Sequence, residues 1–401
     1  MSISHPERLI VLLAALVAFA PLSIDTYLPS LPLIAHDLGA TEASVQMTIG
    51  IFLAGLCVGM LIYGPLSDRY GRRPLLLGGM VLYLIATVGC MLSGSVEQLI
   101  CWRFFQALGG AAASVLARTI VRDLFPLNEA ARTLSLMHLV TMIATLIAPL
   151  VGSFLMLIEG WRTIFAGLLV FAALCLTASL WRIDETHLAE KRGRSIAGAF
   201  AAYWQIAREP LALGYVLCMG LSFGGMFAFI TASPFVYVEY FGVSPHAYGW
   251  LFGLNIVGVI VMTLINARSV THMGPLRMLR IGAVVAGMAG CGLGILGLAG
   301  LAGLTGIVVC VILYVSVTGL LGANCVASLL ALYPKQAGAA AGLAVAGQFA
   351  MGAGFSALVS SLADGTPLPM CLTIAAAGLG SLTCYVWIRR HAGVTNGLET
   401  V

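Results

Sequence analysis

Asp25 stands in an apolar run that extends from Leu9 to Leu33, inside the segment PLSIDTYLPSLP at residues 21–32. A carboxylate in hydrocarbon costs roughly 2.5–3.5 kcal/mol on insertion scales, so it requires a partner, a water-filled cavity or a proton. The chemistry open to it is the uptake and release of a proton. A cation, Arg103, lies in a second apolar run, CWRFFQALGGAAAS at residues 101–114. At 1.5 Å per residue Arg103 sits roughly 8 Å inside one membrane boundary and Asp25 roughly 15 Å inside the same one. The two share an outer half of the membrane and are close enough in depth to be coupled. A third group of charges is GPLSDRYGRRP at residues 64–74, where Asp68 is set among Arg69, Arg72 and Arg73 and the segment is punctuated by Gly64 and Gly71. Here Gly64 is expected to end a span at a close contact and Gly71 to permit a tight bend, in a short turn whose acid makes charge-assisted contacts at helix ends. A positive anchor with an incidental acid is the plainer alternative.

The elements that must position these groups are membrane helices. The chain has 401 residues, 60% hydrophobic and 9% charged, with a mean hydropathy of +1.01. A soluble globular protein is about a quarter charged, so this composition excludes one. Twelve apolar spans are predicted at 9–35, 44–66, 74–93, 98–121, 133–157 and 163–181, then 211–237, 248–267, 278–299, 304–332, 339–362 and 368–388. Each is long enough to cross lipid as a helix, and open strands cannot. The fold class is thus an all-α polytopic membrane protein. The hydrophilic stretch after Trp181 divides it into residues 1–181, a linker at 182–210 and residues 211–401. Within that linker AAYWQIAREP reads either as an amphipathic surface helix or as a solvated connection. Lys and Arg cluster on one side of the spans, while the opposite loops hold Arg162. The positive-inside rule then places both termini in the cytoplasm of a multi-pass inner-membrane protein.

Catalytic and cofactor readings find little support. Ten cysteines are scattered through apolar runs without a CxxC, neither HExxH nor GxxxxGK[ST] occurs, and no metal-ligand spacing is present. These features predict no enzyme, no metal and no cofactor, with an ion gradient as the energy source. The net charge of +4 is concentrated at span ends and does not point to nucleic acid. Polar or aromatic residues within spans that could line a substrate cavity are Tyr27, Gln46, Gln106, Phe227, Asn255 and Asn324, with Gln348, Phe223, Met226 and Phe229 beside them. Hydrogen bonding between helices is the alternative for the polar ones. Arg118 is expected at the cytoplasmic mouth, and His138 is expected as a packed, neutral side chain, with titration near neutrality as the alternative.

The pattern G-x-x-x-D-R-x-G-R-R in residues 64–73 resembles the loop signature of the major facilitator superfamily and matches it at every position. The layout of six spans, a linker and six spans agrees with that family's two pseudo-symmetric six-helix bundles. The resemblance implies that the 64–74 turn belongs to a gate, with Asp123 in VRD as its acidic partner. In the second half ARSVTHMGPLR keeps Gly274 but has Thr271 in place of the acid, so the gate's ion pairs are expected in the first half. Arg103, Gln106, Gly109 and Gly110 resemble the family's R-x-x-Q-G-x-G signature, with Ala107 departing from it. APLVGS at 148–153 resembles the antiporter signature through Pro149 and Gly152, with Ala148 and Ser153 departing; an ordinary proline kink is the alternative. DTYLPSLP, GWRTIF, Glu185–Thr186 and SFGGMFAFITASPFVYVEYFG are similar to the bicyclomycin-resistance group of twelve-span drug:proton antiporters. The function implied is proton-coupled drug efflux by alternating access, with a small amphiphilic drug, protons and lipid as partners, a monomer as the working unit, and Asp25 and Arg103 in coupling. Transport of an endogenous metabolite such as a small amino acid on the same fold is the alternative.

Overall fold

The computed structural model describes residues 6–187, 196–301 and 303–398. Prolines dictate how the first span forms. Pro21 has no N–H for the Val17 carbonyl, and Pro29 has none for the Asp25 carbonyl. The helix accordingly breaks at both places, giving α1 (Pro6–Val17), α2 (Phe19–Asp25), a 3-10 turn at Leu28–Ser30 and α3 (Leu31–Asp37). The axis bends by 42° between the first piece and the rest. The span expected as one continuous helix over 9–35 is therefore three helical pieces, and Asp25 is the last residue of the middle one.

The chain continues through α4 (Glu42–Tyr70), α5 (Arg72–Met91), α6 (Val96–Leu124), α7 (Leu127–Glu159), α8 (Arg162–Arg182) and α9 (Ile196–Arg208). Then come α10 (Pro210–Pro234) with a π-helical turn at Phe235–Tyr240, α11 (Pro245–Met273), α12 (Pro275–Leu298), α13 (Leu304–Ser316), α14 (Thr318–Leu332), α15 (Ala337–Ser361) and α16 (Leu368–Leu398). Eleven stretches among the described residues are long and apolar enough to cross a membrane, and the bent first pair makes twelve. The chain divides into two compact units, Met1–Ala199 and Phe200–Val401. The AAYWQIAREP segment is helical in α9, with Phe200 and Trp204 exposed and the Arg208 guanidinium 4.6 Å from the Trp204 ring. The preceding residues 188–195 of the linker lie outside the described ones.

In the first unit α4, α5 and α6 approach closely over small residues. A Cβ at Gly109 would stand 2.5 Å from the Tyr83 backbone nitrogen, and one at Gly59 would collide with the Ala111 methyl. Gly64 differs from expectation. It lies inside α4, with nothing within 4 Å of where its Cβ would be. The helix continues past it and past Pro65 to Tyr70, so the expected turn shrinks to Gly71 alone, at φ +101°. In the second unit Gly274, at φ +76°, joins α11 to α12 in the same way. There the Tyr314 hydroxyl of α13 donates to the Ser222 carbonyl of α10 at 3.2 Å.

Candidate functional site

The broken first span presents two faces. Successive residues turn by about 100°, so Ser23 and Asp25 point to nearly opposite sides of α2. On one side the Ser23 hydroxyl meets the Tyr83 hydroxyl of α5 at 2.6 Å. Tyr27 directs its N–H to Ile24, which leaves the Ser23 carbonyl to accept from the Arg103 guanidinium of α6 at 3.0 Å. Arg103 has no exposed surface. It also donates to Gln106 at 2.7 Å, and its charge lies 4.5 Å from the Tyr27 ring centroid and 4.2 Å from that of Phe52. Such cation–ring contacts compensate part of the desolvation of a guanidinium. Its Nε and second terminal nitrogen have no hydrogen-bond partner. Gln106 passes the network on, donating to Thr87 at 2.9 Å.

On the other side is Asp25. It is 4% exposed and is the only acidic side chain buried among the described residues. No ion pair joins it to Arg103 within 4.0 Å; the three ion pairs found among the described residues are elsewhere. The Thr145 side chain of α7 lies beside it. Two turns further along α7, a Cβ at Gly152 would overlap the Thr26 carbonyl, so the helix carrying Pro149 and Gly152 rests directly on the break beside the acid. Arg103 of α6 is thus tied to the helix that carries Asp25 without touching the acid.

At the end bearing the basic turn, Arg72 donates to Ser67 at 2.5 Å, to Asp68 at 2.6 Å and to Asp123 at 3.1 Å. Arg69 is exposed and lies against Tyr70. The backbone N–H groups of Arg72 and Arg73 donate to the two oxygens of Glu185, at 2.9 and 3.3 Å. A carboxylate at the first turn of α5 satisfies helix donors that have no partner within the helix. Thr186 donates to Asp123 at 3.2 Å, and the His187 ring meets the Asp68 carbonyl at 3.1 Å. The segment after α8 therefore closes the turn between α4 and α5.

At the opposite end, Asp37 lies beyond the apolar run of the first span. It accepts from the Trp161 indole and from Arg162, both at 2.8 Å, and Arg162 also reaches the Ser93 carbonyl at 3.1 Å. The Trp161 bond, then that of Arg162, hold the Asp37 carboxyl below its ordinary value. A lowered folded-state pKa stabilises above the unfolded value, and the stabilisation is lost as pH falls through the folded value. The pair is solvent-exposed, so its contribution is small. Asp37→Asn is expected to lower the melting temperature slightly at neutral pH and to flatten the acid limb of a melting series; an unaltered acid limb would show that the clasp adds no pH dependence.

The residues expected around a cavity make hydrogen bonds or ring contacts within their own units. The Tyr27 hydroxyl meets that of Thr48 at 3.0 Å. Gln46 donates to Glu42 at 2.7 Å, and Asn255 to the Leu251 carbonyl at 3.0 Å. Asn324 donates to Asn266 at 2.8 Å. Gln46 Oε1 and Asn255 Oδ1 are buried without a partner. Phe227 lies 4.9 Å from Phe223, which in turn contacts Phe349 at 5.5 Å. An apolar recess of about 570 Å³ near Trp250, Leu254 and Leu304 contains no ionisable residue. Thr145, Asn266 and Asp37 are absent from the sequence reading, and Glu185 appears there without a role. The signal for Thr145 is its position four residues before Pro149.

The profile of the Major Facilitator Superfamily matches residues 12–357. A bicyclomycin resistance protein homolog of Haemophilus influenzae is 33% identical over 94% of this chain and 95% of its own. A chloramphenicol resistance protein of Pseudomonas aeruginosa is 31% identical over 68% of this chain and 64% of its own. Among solved structures, a D-xylose-proton symporter superposes with a TM-score of 0.72 at 19% identity, covering 94% of this chain and 96% of its own, which speaks to the fold alone. With a profile match over most of its length, twelve predicted spans and the complete 64–73 signature, the chain belongs to the Major Facilitator Superfamily and is a membrane transporter rather than an enzyme.

Proposed function

We propose that this transporter exports small drugs in exchange for protons, by alternating access, from a bacterial inner membrane in which both termini are cytoplasmic. The observation that carries the proposal is Asp25: the one buried acid among the described residues, without an ion pair and at a helix break. A carboxyl in that position exchanges a proton at far lower cost than it holds a permanent charge. In the exchange the proton enters from the outer side, rests on Asp25 while the drug is released, and leaves to the cytoplasm before the next drug binds. Arg103 of α6 keeps α2 in place by its bond to the Ser23 carbonyl and holds positive charge against that helix. The Arg72 cluster with Asp68 and Asp123 serves as the gate fastening. The relatives named for bicyclomycin and chloramphenicol resistance supply the substrate class, and one chain suffices for the cycle.

The experiment is a resistance panel in a pump-deficient strain, with bicyclomycin and chloramphenicol as first probes, followed by efflux measured with and without a protonophore. Raised resistance and loss of efflux on adding the protonophore are expected. Efflux that persists without a proton gradient would overturn the coupling, and unchanged resistance across the panel would shift the substrate to an endogenous metabolite.

A further inference from the structure

Phe200, Trp204 and Arg208 follow one another at intervals of four residues in α9, which sets them in one stripe along the helix. All three are exposed, Phe200 to 43% and Trp204 to 60%. The opposite face is the packed one: Ile206 is fully buried, and Ala199, Ala202 and Tyr203 are half-buried. Within the stripe the Arg208 guanidinium lies over the Trp204 ring at 4.6 Å. Arg208 joins none of the ion pairs found among the described residues.

The packed face fixes the depth of the helix. A Cβ at Gly342 of α15 would stand 3.2 Å from the Tyr203 hydroxyl, so Tyr203 rests on α15 at that residue. Gly342 is five residues into α15, roughly 8 Å along its axis. With its 25 residues, α15 is roughly 38 Å long, and the hydrocarbon it crosses is about 30 Å thick. Tyr203 therefore meets α15 close to where hydrocarbon gives way to headgroups. The other end of α9 is fixed at the same boundary, because only Glu209, the N-cap of α10, separates Arg208 from that span.

We propose that this stripe is a docking surface for anionic phospholipid, with the Arg208 guanidinium on the phosphate and the Trp204 and Phe200 rings beside the glycerol backbone. Indole rings favour that level of a membrane, where one part is apolar and the other wet. A guanidinium offers a phosphate two parallel donors. The charge of the sequence fits: from Lys191 to Arg208 it has four cations and no acid. Under the orientation proposed above, the leaflet concerned is the cytoplasmic one, whose lipids carry the negative surface potential. The stripe thus ties the connection between the two six-span halves to the composition of that leaflet.

The test uses the full-length protein and has two arms. In nanodiscs of phosphatidylcholine and phosphatidylglycerol, fluorescence is quenched either by lipid brominated near the glycerol end of the chains or by aqueous iodide. The protein has six tryptophans, so the Trp204 signal is the difference between the parent and Trp204→Phe. Brominated lipid should quench it strongly and iodide weakly. In neutral detergent, short-chain phosphatidylglycerol is then titrated onto the protein. Arg208→Gln should weaken its binding about fivefold, Arg208→Lys should restore most of it, and phosphatidylcholine of the same chain length should bind parent and variant alike. A Trp204 signal reached by iodide and not by brominated lipid overturns the proposal and leaves the stripe to a soluble partner. Phosphatidylglycerol binding unchanged in Arg208→Gln overturns it as well. Nanodiscs present the same lipid on both faces and neither arm measures transport, so the orientation and the export reading do not enter the result.

Discussion

Asp25→Asn is expected to reduce drug resistance to the level of cells without the transporter, while the protein stays folded and in the membrane. The amide has the shape of the carboxyl, so the packing around α2 is conserved. What it loses is the ability to exchange a proton, and with it every step in which that exchange drives release of the drug. The fall in proton-driven export should be roughly tenfold or more, as for removal of a group that acts only in the productive cycle. Counterflow of labelled drug, which needs no net proton movement, should survive. Gradient-driven export at the parent rate in that variant would place the proton elsewhere.

The second large effect belongs to Gly152→Val. The Cβ of a side chain at that position is fixed to its own backbone and would meet the Thr26 carbonyl, which is backbone too. Neither can rotate away, as the end of a flexible side chain could. Overpacking of this kind costs about 1–3 kcal/mol and sometimes more. Here the helix would have to lift from the break that begins after Asp25. Both the yield of monodisperse protein and the transport per folded molecule should drop sharply, with Gly152→Ala milder in each. A valine variant of normal yield and normal transport would show that the close approach of α7 and α2 is dispensable.

Much of the architecture was legible in the sequence, because span length, proline position and charge placement each have a direct physical reading. The twelve spans follow from apolar length. The charged turn follows from the regular pattern of Asp68, Gly71, Arg72 and Arg73, and Asp123, the acidic partner that the resemblance implies, pairs with Arg72. What the sequence does not convey is azimuth. A helix that is apolar nearly all round gives little indication of which face meets which neighbour. Asp25 and Arg103 could therefore be matched in depth but not in direction, and they prove to occupy opposite sides of α2. The breaks on either side of α2 were written in Pro21 and Pro29, each of which withholds a donor from the carbonyl four residues earlier. Glu185 was out of reach for a different reason: a carboxylate that fastens a helix end more than a hundred residues away leaves no local pattern.

The two cross-span fastenings have an evolutionary consequence. In the first unit a guanidinium of the fourth span binds the Ser23 carbonyl of the first. In the second unit a phenol of the tenth span binds the Ser222 carbonyl of the seventh. The positions correspond, as Gly71 corresponds to Gly274, and this is the trace expected of one ancestral six-span gene copied and joined to itself. The mechanical tie was kept in both copies, but the charge in only one. A neutral phenol makes no demand for a counter-charge or a proton nearby, so the second copy was released from ionic duty. At this tie the first unit must house a buried cation, where the second keeps the same connection between spans without one.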